Sequence, residues 1–118
     1  EYAETKRQTI AVVGSTDLTH YGPDYGFEPE GRGEEARRWV RDVNDRTMID
    51  ALERIEPPLI IEAGTRHHAA CSAGAANAAA VFAKHRGAGN PVVIDHFTSY
   101  EVCPRDSFVG YLGLGYAA

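Results

Sequence analysis

Residues 9–22 read TIAVVGSTDLTHYG, and this stretch decides the fold of the chain. It opens with a β-branched, apolar run over residues 9–13 and passes through Gly14 into a polar loop. An apolar run without alternating polar residues is typical of a strand that is covered on both faces. The stretch therefore predicts a buried strand with a polar loop at its carboxyl end, which is an arrangement of α/β proteins.

Three helices are predicted after this loop. Apolar residues recur at three- and four-residue steps over residues 34–55, which indicates one amphipathic helix that ends at Pro57-Pro58. We expect these prolines to start a second, short helix over residues 59–63. The alanine-rich residues 72–86 predict a third helix, because alanine has the highest helix propensity.

Two further strands are predicted near the end of the chain. Residues 92–98 and 108–116 are runs of β-branched, aromatic and apolar residues, which are typical of strands. The order of the elements predicts a single α/β domain over residues 1–118, with a sheet of about three strands flanked by helices. The glycine- and proline-rich residues 15–33 predict a long loop, and structureless loops of this length are usually functional or disordered.

The composition excludes several classes of protein. Lys and Arg number 12 and Asp and Glu 17, so the net charge is −5 and no segment supplies the basic face of a nucleic-acid binder. The apolar runs are far shorter than the ~20 residues that span a membrane, and the polar amino terminus is unlike a signal peptide. We therefore expect a cytoplasmic protein with reduced cysteines and with no nucleic-acid or membrane partner. Because the chain begins at Glu1 and its only methionine is Met48, we also expect processing or a longer polypeptide.

Candidate site residues follow the carboxyl ends of two predicted strands, where open α/β sheets bind ligands. Asp17 and His20 follow residues 9–13, and Cys103 follows residues 92–98. If these strands are parallel neighbours, the three side chains converge on one crevice. A neutral imidazole serves as a general base or a metal ligand near pH 7, and a nearby carboxylate orients it. The alternative is that the aspartate caps the loop and the histidine packs against the next residue in the chain.

The two cysteines each allow two interpretations. Cys103 lies in a polar loop, where its thiolate would be a soft metal ligand or a nucleophile. The alternative is that Cys103 is a small buried residue. Cys71 precedes a helix, whose N-terminus lowers a thiol pKa, and the alternative is a packed residue at the helix start. A redox-active dithiol of both cysteines is a third hypothesis, which requires Cα atoms within about 7 Å of each other.

The other histidines are weaker candidates. Adjacent side chains diverge, so one metal ion seldom takes both His67 and His68. We expect His96, inside a predicted strand, to be structural or on an outer face. His85 is expected near a helix C-terminus, where the helix dipole favours a cation.

Several motifs occur in the order found in one protein family. They are STDLTHYG at residues 15–22, NDRTMIDAL at 44–52, Cys71 before an alanine-rich helix, Thr98-Ser99, Cys103 and VGY at 109–111. The chain resembles the carboxy-terminal half of the MEMO family, whose prokaryotic members are called AmmeMemoRadiSam system protein B. This resemblance covers most of residues 8–118. One departure is Cys71-Ser72, where the family has a Cys-Gly pair.

The resemblance implies the LigB-like fold of class III extradiol dioxygenases and a site for iron, or alternatively copper, at the strand ends. Cys103 would be a metal ligand, and His20 would be a second ligand or the acid/base group that the dioxygenase relatives use. Asp17 would line the same pocket. The family's amino-terminal half supplies two more histidine ligands, so we expect a second subunit, a second copy of the chain or a missing segment to complete the site.

Two classes of function fit these residues. The first is non-haem iron oxygen chemistry on a small-molecule substrate, an oxidoreductase activity, once the site is complete. The second is a non-enzymatic interaction module, in which Tyr21, Tyr25 and Phe27 of the long loop contact a partner. The alternative for this loop is a solvated lid.

Overall fold

Helices and strands follow one another closely from residue 20 onward. The computed structural model describes the backbone of residues 1–118 and all side chains except those of residues 2 and 3. The elements are α1 (Tyr2–Lys6), β1 (His20–Tyr21), α2 (Glu34–Trp39), α3 (Asp45–Arg54), α4 (Pro57–Thr65), α5 (Ala73–His85), β2 (Asn90–Thr98), α6 (Ser99–Val102) and β3 (Phe108–Ala117). The predicted short helix, the alanine-rich helix and the last two strands are confirmed as α4, α5, β2 and β3. The sequence analysis did not predict α1, β1 and α6, and β1 lies within the predicted long loop.

The three strands form one sheet in the order β1–β3–β2, and both pairs are antiparallel. The central strand β3 pairs with β2 over most of its length, from Thr98 opposite Gly110 to Asn90 opposite Ala117. Helices α3, α4 and α5 contribute the core that covers the sheet. The predicted α/β class, with about three strands and flanking helices, is therefore confirmed.

Residues 9–13 form no strand, which corrects the prediction for this stretch. Within the described chain, their amides and carbonyls make no hydrogen bond to other backbone groups. Ile10 and Val12 line an open groove of about 470 Å³ against α5 and β3, while Val13 is 88% exposed. A strand exists only where a neighbouring strand supplies hydrogen-bond partners. The β-branched composition of residues 9–13 is therefore not enough to form a strand.

The helix predicted over residues 34–55 is confirmed, with a π-helical turn at Val40–Asn44 between α2 and α3. The residues that it buries include one at every fourth position, and the second half buries further residues beside these: Ala36, Val40, Asn44, Met48 and Leu52, together with Asp45, Ile49, Ala51 and Ile55. In a regular α-helix each step of four residues overshoots a full turn by about 40°. The wider π turn removes part of this drift, so that one face stays buried along the whole length.

The main core lies between α3, α4, α5 and β3. Met48, Ile49 and Ile60 are fully buried there, and Leu112 and Leu114 of β3 pack against the same cluster. Burying a side chain of this size contributes about 1.5–3 kcal/mol. This core fixes α3 and the start of α5 relative to the central strand.

A second, aromatic cluster surrounds Tyr21 of β1. Its ring stacks on Phe108 at a centroid distance of 5.1 Å. Its hydroxyl donates to the carbonyl of Gly31 and accepts from the amide of Glu30, both at 2.9 Å. Burial raises the pKa of Tyr21, so the hydroxyl keeps its proton for the first of these bonds. The side chain is an internal support of the long loop, and the expectation that Tyr21 contacts a partner is wrong.

Tyr116 joins β3 to α3, and we predict that it makes stability fall at alkaline pH. Its hydroxyl donates to the carbonyl of Leu52 at 2.8 Å, and burial raises its pKa from 10.0 to about 12. Between these two values the unfolded chain releases the proton while the folded chain keeps it. The free energy of unfolding therefore declines as pH rises above 10.

Urea unfolding of the wild type and of Tyr116→Phe measures this effect. At pH 7 we expect the free energy of unfolding of the variant to be about 1 kcal/mol lower than that of the wild type, because one hydrogen bond is removed. Above pH 10 this difference in free energy should become smaller, since the phenylalanine does not titrate. Two curves that stay parallel up to pH 11.5 would show that Tyr116 keeps its ordinary pKa.

Candidate metal centre

The loop that carries Asp17 and His20 is held to the fold along its length. At its start, Gly14 packs so tightly on α5 that a Cβ there would lie 2.5 Å from the carbonyl oxygen of Ala75. Further on, the amide of Leu18 donates to the carbonyl of Gly110 at 2.9 Å, and the amide of Gly110 donates to the carbonyl of Thr19 at 2.9 Å. The two candidate side chains therefore project from a fixed backbone.

Asp17 and His20 form a pair. Nε2 of His20 lies 3.3 Å from Oδ2 of Asp17, and the side chains are 33% and 48% exposed, respectively. On its other side the imidazole ring contacts the ring of Tyr25 at 4.8 Å. The carboxylate and the aromatic ring together set the orientation of the imidazole, while both donor groups stay open to solvent.

Cys71 is the third member of this arrangement. It lies two residues before α5, and its Sγ accepts a hydrogen bond from the amide of Asp17 at 3.4 Å. The hydroxyl of Thr16 lies 3.4 Å from the same sulfur and accepts a bond from the amide of Ser72 at 2.9 Å. The amide of Cys71 in turn donates to the carbonyl of Asp17 at 3.3 Å. These contacts hold the sulfur beside Asp17, and a cysteine binds a metal ion through its sulfur as the thiolate.

Asp17, His20 and Cys71 thus offer three possible metal ligands, whose donor atoms all lie within 4.8 Å of one another. The set combines a carboxylate oxygen, an imidazole nitrogen and a thiolate sulfur. Imidazole and thiolate ligands suit iron, copper and zinc rather than magnesium or calcium. Catalytic metal sites keep three protein ligands and one open position. The residues present fit a transition-metal ion, with one side left open.

The structure does not bring Cys103 into this cluster. The residue is exposed at the end of α6, where its amide donates to the carbonyl of Ser99 at 2.9 Å. Its expected convergence with Asp17 and His20 required residues 9–13 and β2 to be parallel neighbours. The strand pairs in the described chain are antiparallel, so this condition is not met. Metal ligation by Cys103 stays a prediction that the structure does not test.

The sequence indicates that Cys71 is either a packed residue or a thiol at the start of a helix, and it does not predict the contact of this residue with Asp17. The signal that could have found it is its position immediately before the N-terminus of α5. A cysteine there lies next to whatever loop packs on the start of the helix. Neither spacing nor periodicity shows which loop that is.

The family of the chain is now decided by comparison with known proteins. The family model described as Memo-like protein matches residues 1–115. The chain belongs to the Memo-like family. This confirms the resemblance that the sequence motifs indicated. No match to the Memo-like chain was found among solved structures.

Curated relatives of this Memo-like chain are archaeal. A MEMO1 family protein of Pyrococcus horikoshii is 32% identical over 92% of the chain and 38% of the relative. Those of Thermococcus onnurineus and Archaeoglobus fulgidus are 28% and 32% identical, over 97% and 94% of the chain and 40% and 37% of the relatives. The Memo-like chain therefore spans about two fifths of the length of the curated relatives it matches.

A small pocket opens beside the cluster of the Memo-like chain. Its volume is about 320 Å³, and its lining residues are Leu18, His20, Tyr25, Gly26, Phe27, Gly64, His68, Ala70 and Cys71. Two of the three cluster residues thus face a space that a small molecule could enter. Tyr25 and Phe27 are two of its walls, and their contact with a partner stays a prediction.

The remaining histidines lie in different surroundings. His68 has a backbone φ of +52°, which is unusual for a residue other than glycine, and its ring contacts Phe27 at 5.1 Å. His67 is not among the residues that line this pocket. His96 lies inside β2, as expected, and its ring contacts a buried carboxylate.

None of the helices that the structure describes has the length and apolar character needed to cross a membrane.

Proposed function

We propose that this Memo-like chain binds a transition-metal ion, iron or alternatively copper, through Asp17, His20 and Cys71. The observation that carries the proposal is the mutual distance of the three donor atoms, all within 4.8 Å. The donors come from one loop and from the residues before α5, which are interlocked by backbone hydrogen bonds. Such a prearranged set loses little conformational freedom when an ion binds.

The chemistry of the site would be oxidation of a small molecule. Bound iron would supply reactivity toward dioxygen, which amino-acid side chains lack. His20 would be the acid/base group of the reaction, and Asp17 keeps its ring oriented by the contact at Nε2. Tyr25 and Phe27 form apolar walls of the 320 Å³ pocket, where they would orient a substrate and exclude water. An oxidoreductase of this kind is the function that the site supports best.

A second subunit, a second copy of the chain or a further segment would complete the site. Four features support this part of the proposal. The cluster is open to solvent, the apolar residues 9–13 lack backbone partners in the described chain, and the chain spans about two fifths of its relatives. β2 also exposes apolar side chains, among them Ile94 at 75%. A partner that covers these surfaces would add ligands and close the pocket.

Native mass spectrometry under anaerobic conditions tests the proposed function, with Fe(II) alone as the probe. We expect about one iron ion per chain for the wild type, and loss of most of the bound iron in His20→Ala and Asp17→Ala. His85→Ala, at the last residue of α5, is the matched control and should bind iron like the wild type. The proposal fails if the wild type takes up no iron, or if the control loses as much iron as the cluster variants.

A further inference from the structure

A buried carboxylate lies directly behind the metal-binding loop. Asp45, the first residue of α3, is completely buried. Its Oδ1 accepts two hydrogen bonds from Thr19, one from the amide at 3.0 Å and one from the hydroxyl at 2.6 Å. Its Oδ2 lies 2.9 Å from Nε2 of His96 in β2. Thr19 itself is completely buried and directly precedes His20.

Neighbouring groups complete this network around Thr19. Nδ2 of Asn44, at the end of the π-helical turn, donates to the threonine hydroxyl at 3.0 Å and to the carbonyl of His67 at 2.9 Å. The carbonyl of Thr19 accepts from the amide of Gly110 in β3 at 2.9 Å. Thr19, which lies between the metal-ligand candidates Asp17 and His20, is therefore held by α3, by β3 and by the π-helical turn before α3.

The network needs an explanation other than stability. A buried carboxylate is costly to desolvate, and well-packed apolar residues of similar volume are often equally or more stabilising. Asp45 instead makes three directional contacts, two of them to one residue. Directional bonds fix a position and an orientation, which apolar packing does less well. The position fixed here is that of the backbone between Asp17 and His20.

We propose that Asp45 and His96 are positioning residues of the metal cluster. They hold Thr19 and, through it, set the distances between the donor atoms of Asp17, His20 and Cys71. His96 satisfies the second oxygen of the carboxylate and keeps its first oxygen directed at Thr19. This inference rests on the proposed metal site but assigns a role to residues that do not touch the ion.

Co(II) titration tests this role, because a thiolate bound to Co(II) gives a charge-transfer absorption band. Thr19→Val keeps the side-chain shape but removes the hydroxyl, and Asp45→Asn and His96→Gln weaken the carboxylate contacts. We expect these variants to bind Co(II) about 10- to 100-fold more weakly, as found when groups behind metal ligands are removed. Thr19→Ser, which restores the hydroxyl, and Asp50→Asn, at an exposed carboxylate of α3, should bind like the wild type.

Amide hydrogen exchange of the metal-free protein gives a second readout. The amides of Asp17 and Cys71 donate across the junction between the loop and α5, so they report directly on its geometry. We expect Thr19→Val to speed exchange at these two amides while the amides of the main core keep their protection. If Asp45→Asn does not fold, Thr19→Val and His96→Gln still decide the question.

The outcomes separate the two proposals. Folded variants that bind Co(II) like the wild type, with unchanged exchange at Asp17 and Cys71, would overturn the positioning role. A uniform rise in exchange across the core, with unaltered Co(II) affinity, would also overturn it, since that result indicates a purely structural network. If the wild type binds no Co(II), the proposed metal site fails, and the exchange measurement alone then decides whether Thr19 is held as we infer.

Discussion

Replacing Cys71 with serine should abolish stoichiometric metal binding, whereas replacing Cys103 with serine should leave it unchanged. Serine is nearly isosteric with cysteine and can still accept the hydrogen bond from the amide of Asp17, so the fold should persist. A serine hydroxyl stays protonated near pH 7 and is a poor ligand for a transition-metal ion. Because a direct ligand is lost, affinity should fall by more than the roughly 100-fold seen for groups behind ligands.

The measurement is a Co(II) titration of the wild type and both variants, followed by the thiolate charge-transfer band. Cys71→Ser should lose the band, and Cys103→Ser should keep it at full intensity. The two cysteines are matched, because both are exposed and neither forms a disulfide. The reverse result would confirm Cys103 as the ligand that the family resemblance implied. It would also show that the Asp17–His20–Cys71 arrangement is not the metal site.

The elements that the sequence predicted well are those whose pattern is local. The alanine-rich helix, the β2 and β3 runs and the long amphipathic helix each carry their own periodicity, and each is present. Helix formation depends on bonds between near neighbours, so a single segment contains most of the information.

Residues 9–13 show where local pattern fails. Their composition favours a strand, but a strand depends on a partner elsewhere, and the described chain supplies none. The same limit affected the choice of cysteine. Cys103 follows a predicted strand, and the family resemblance implies that it is a ligand, whereas Cys71 reaches Asp17 through packing between a loop and a helix start. Contacts of this kind span more than fifty residues and leave no periodic trace.

The buried network was hidden for a related reason. Asn44 and Asp45 appear in the sequence as polar residues of an amphipathic helix, which are normally solvated. Their burial depends on the hydroxyl of Thr19, on the ring of His96 and on a glycine in the strand that faces them. Only the folded chain shows that these groups satisfy one another. The sequence family, by contrast, was recognisable because its motifs occur in a fixed order.

Gly110→Ala is expected to be the most destabilising single substitution at this network. A Cβ at this position of β3 would lie 2.8 Å from Cγ and from Oδ1 of Asp45, and still closer to Oδ2. The carboxylate cannot move away without breaking its bonds to Thr19 and His96. Overpacking the core and breaking a buried hydrogen-bond network in this way should together cost about 3 kcal/mol. Urea unfolding at pH 7 measures the loss.

Gly115→Ala is the matched control, because it changes the same residue type in the same strand. No heavy atom lies within 4 Å of a Cβ built at Gly115, so the free energy of unfolding should change by about 0.5 kcal/mol or less. If both variants lose the same stability, the cause is the general cost of replacing glycine in β3. The overlap with Asp45 would then not be the cause of the destabilisation by Gly110→Ala.

A double-mutant cycle identifies the cause of the loss at Gly110. Asp45→Ala removes the carboxylate that the new methyl group would meet, at the expense of the bonds to Thr19 and His96. If the overlap is responsible, Gly110→Ala should cost little more in the Asp45→Ala background, and the two effects should be far from additive. Additive losses would mean that the glycine is needed for a backbone reason unrelated to the carboxylate. Strong coupling would instead show that β3 has glycine at this point because a buried carboxylate occupies the space of its side chain.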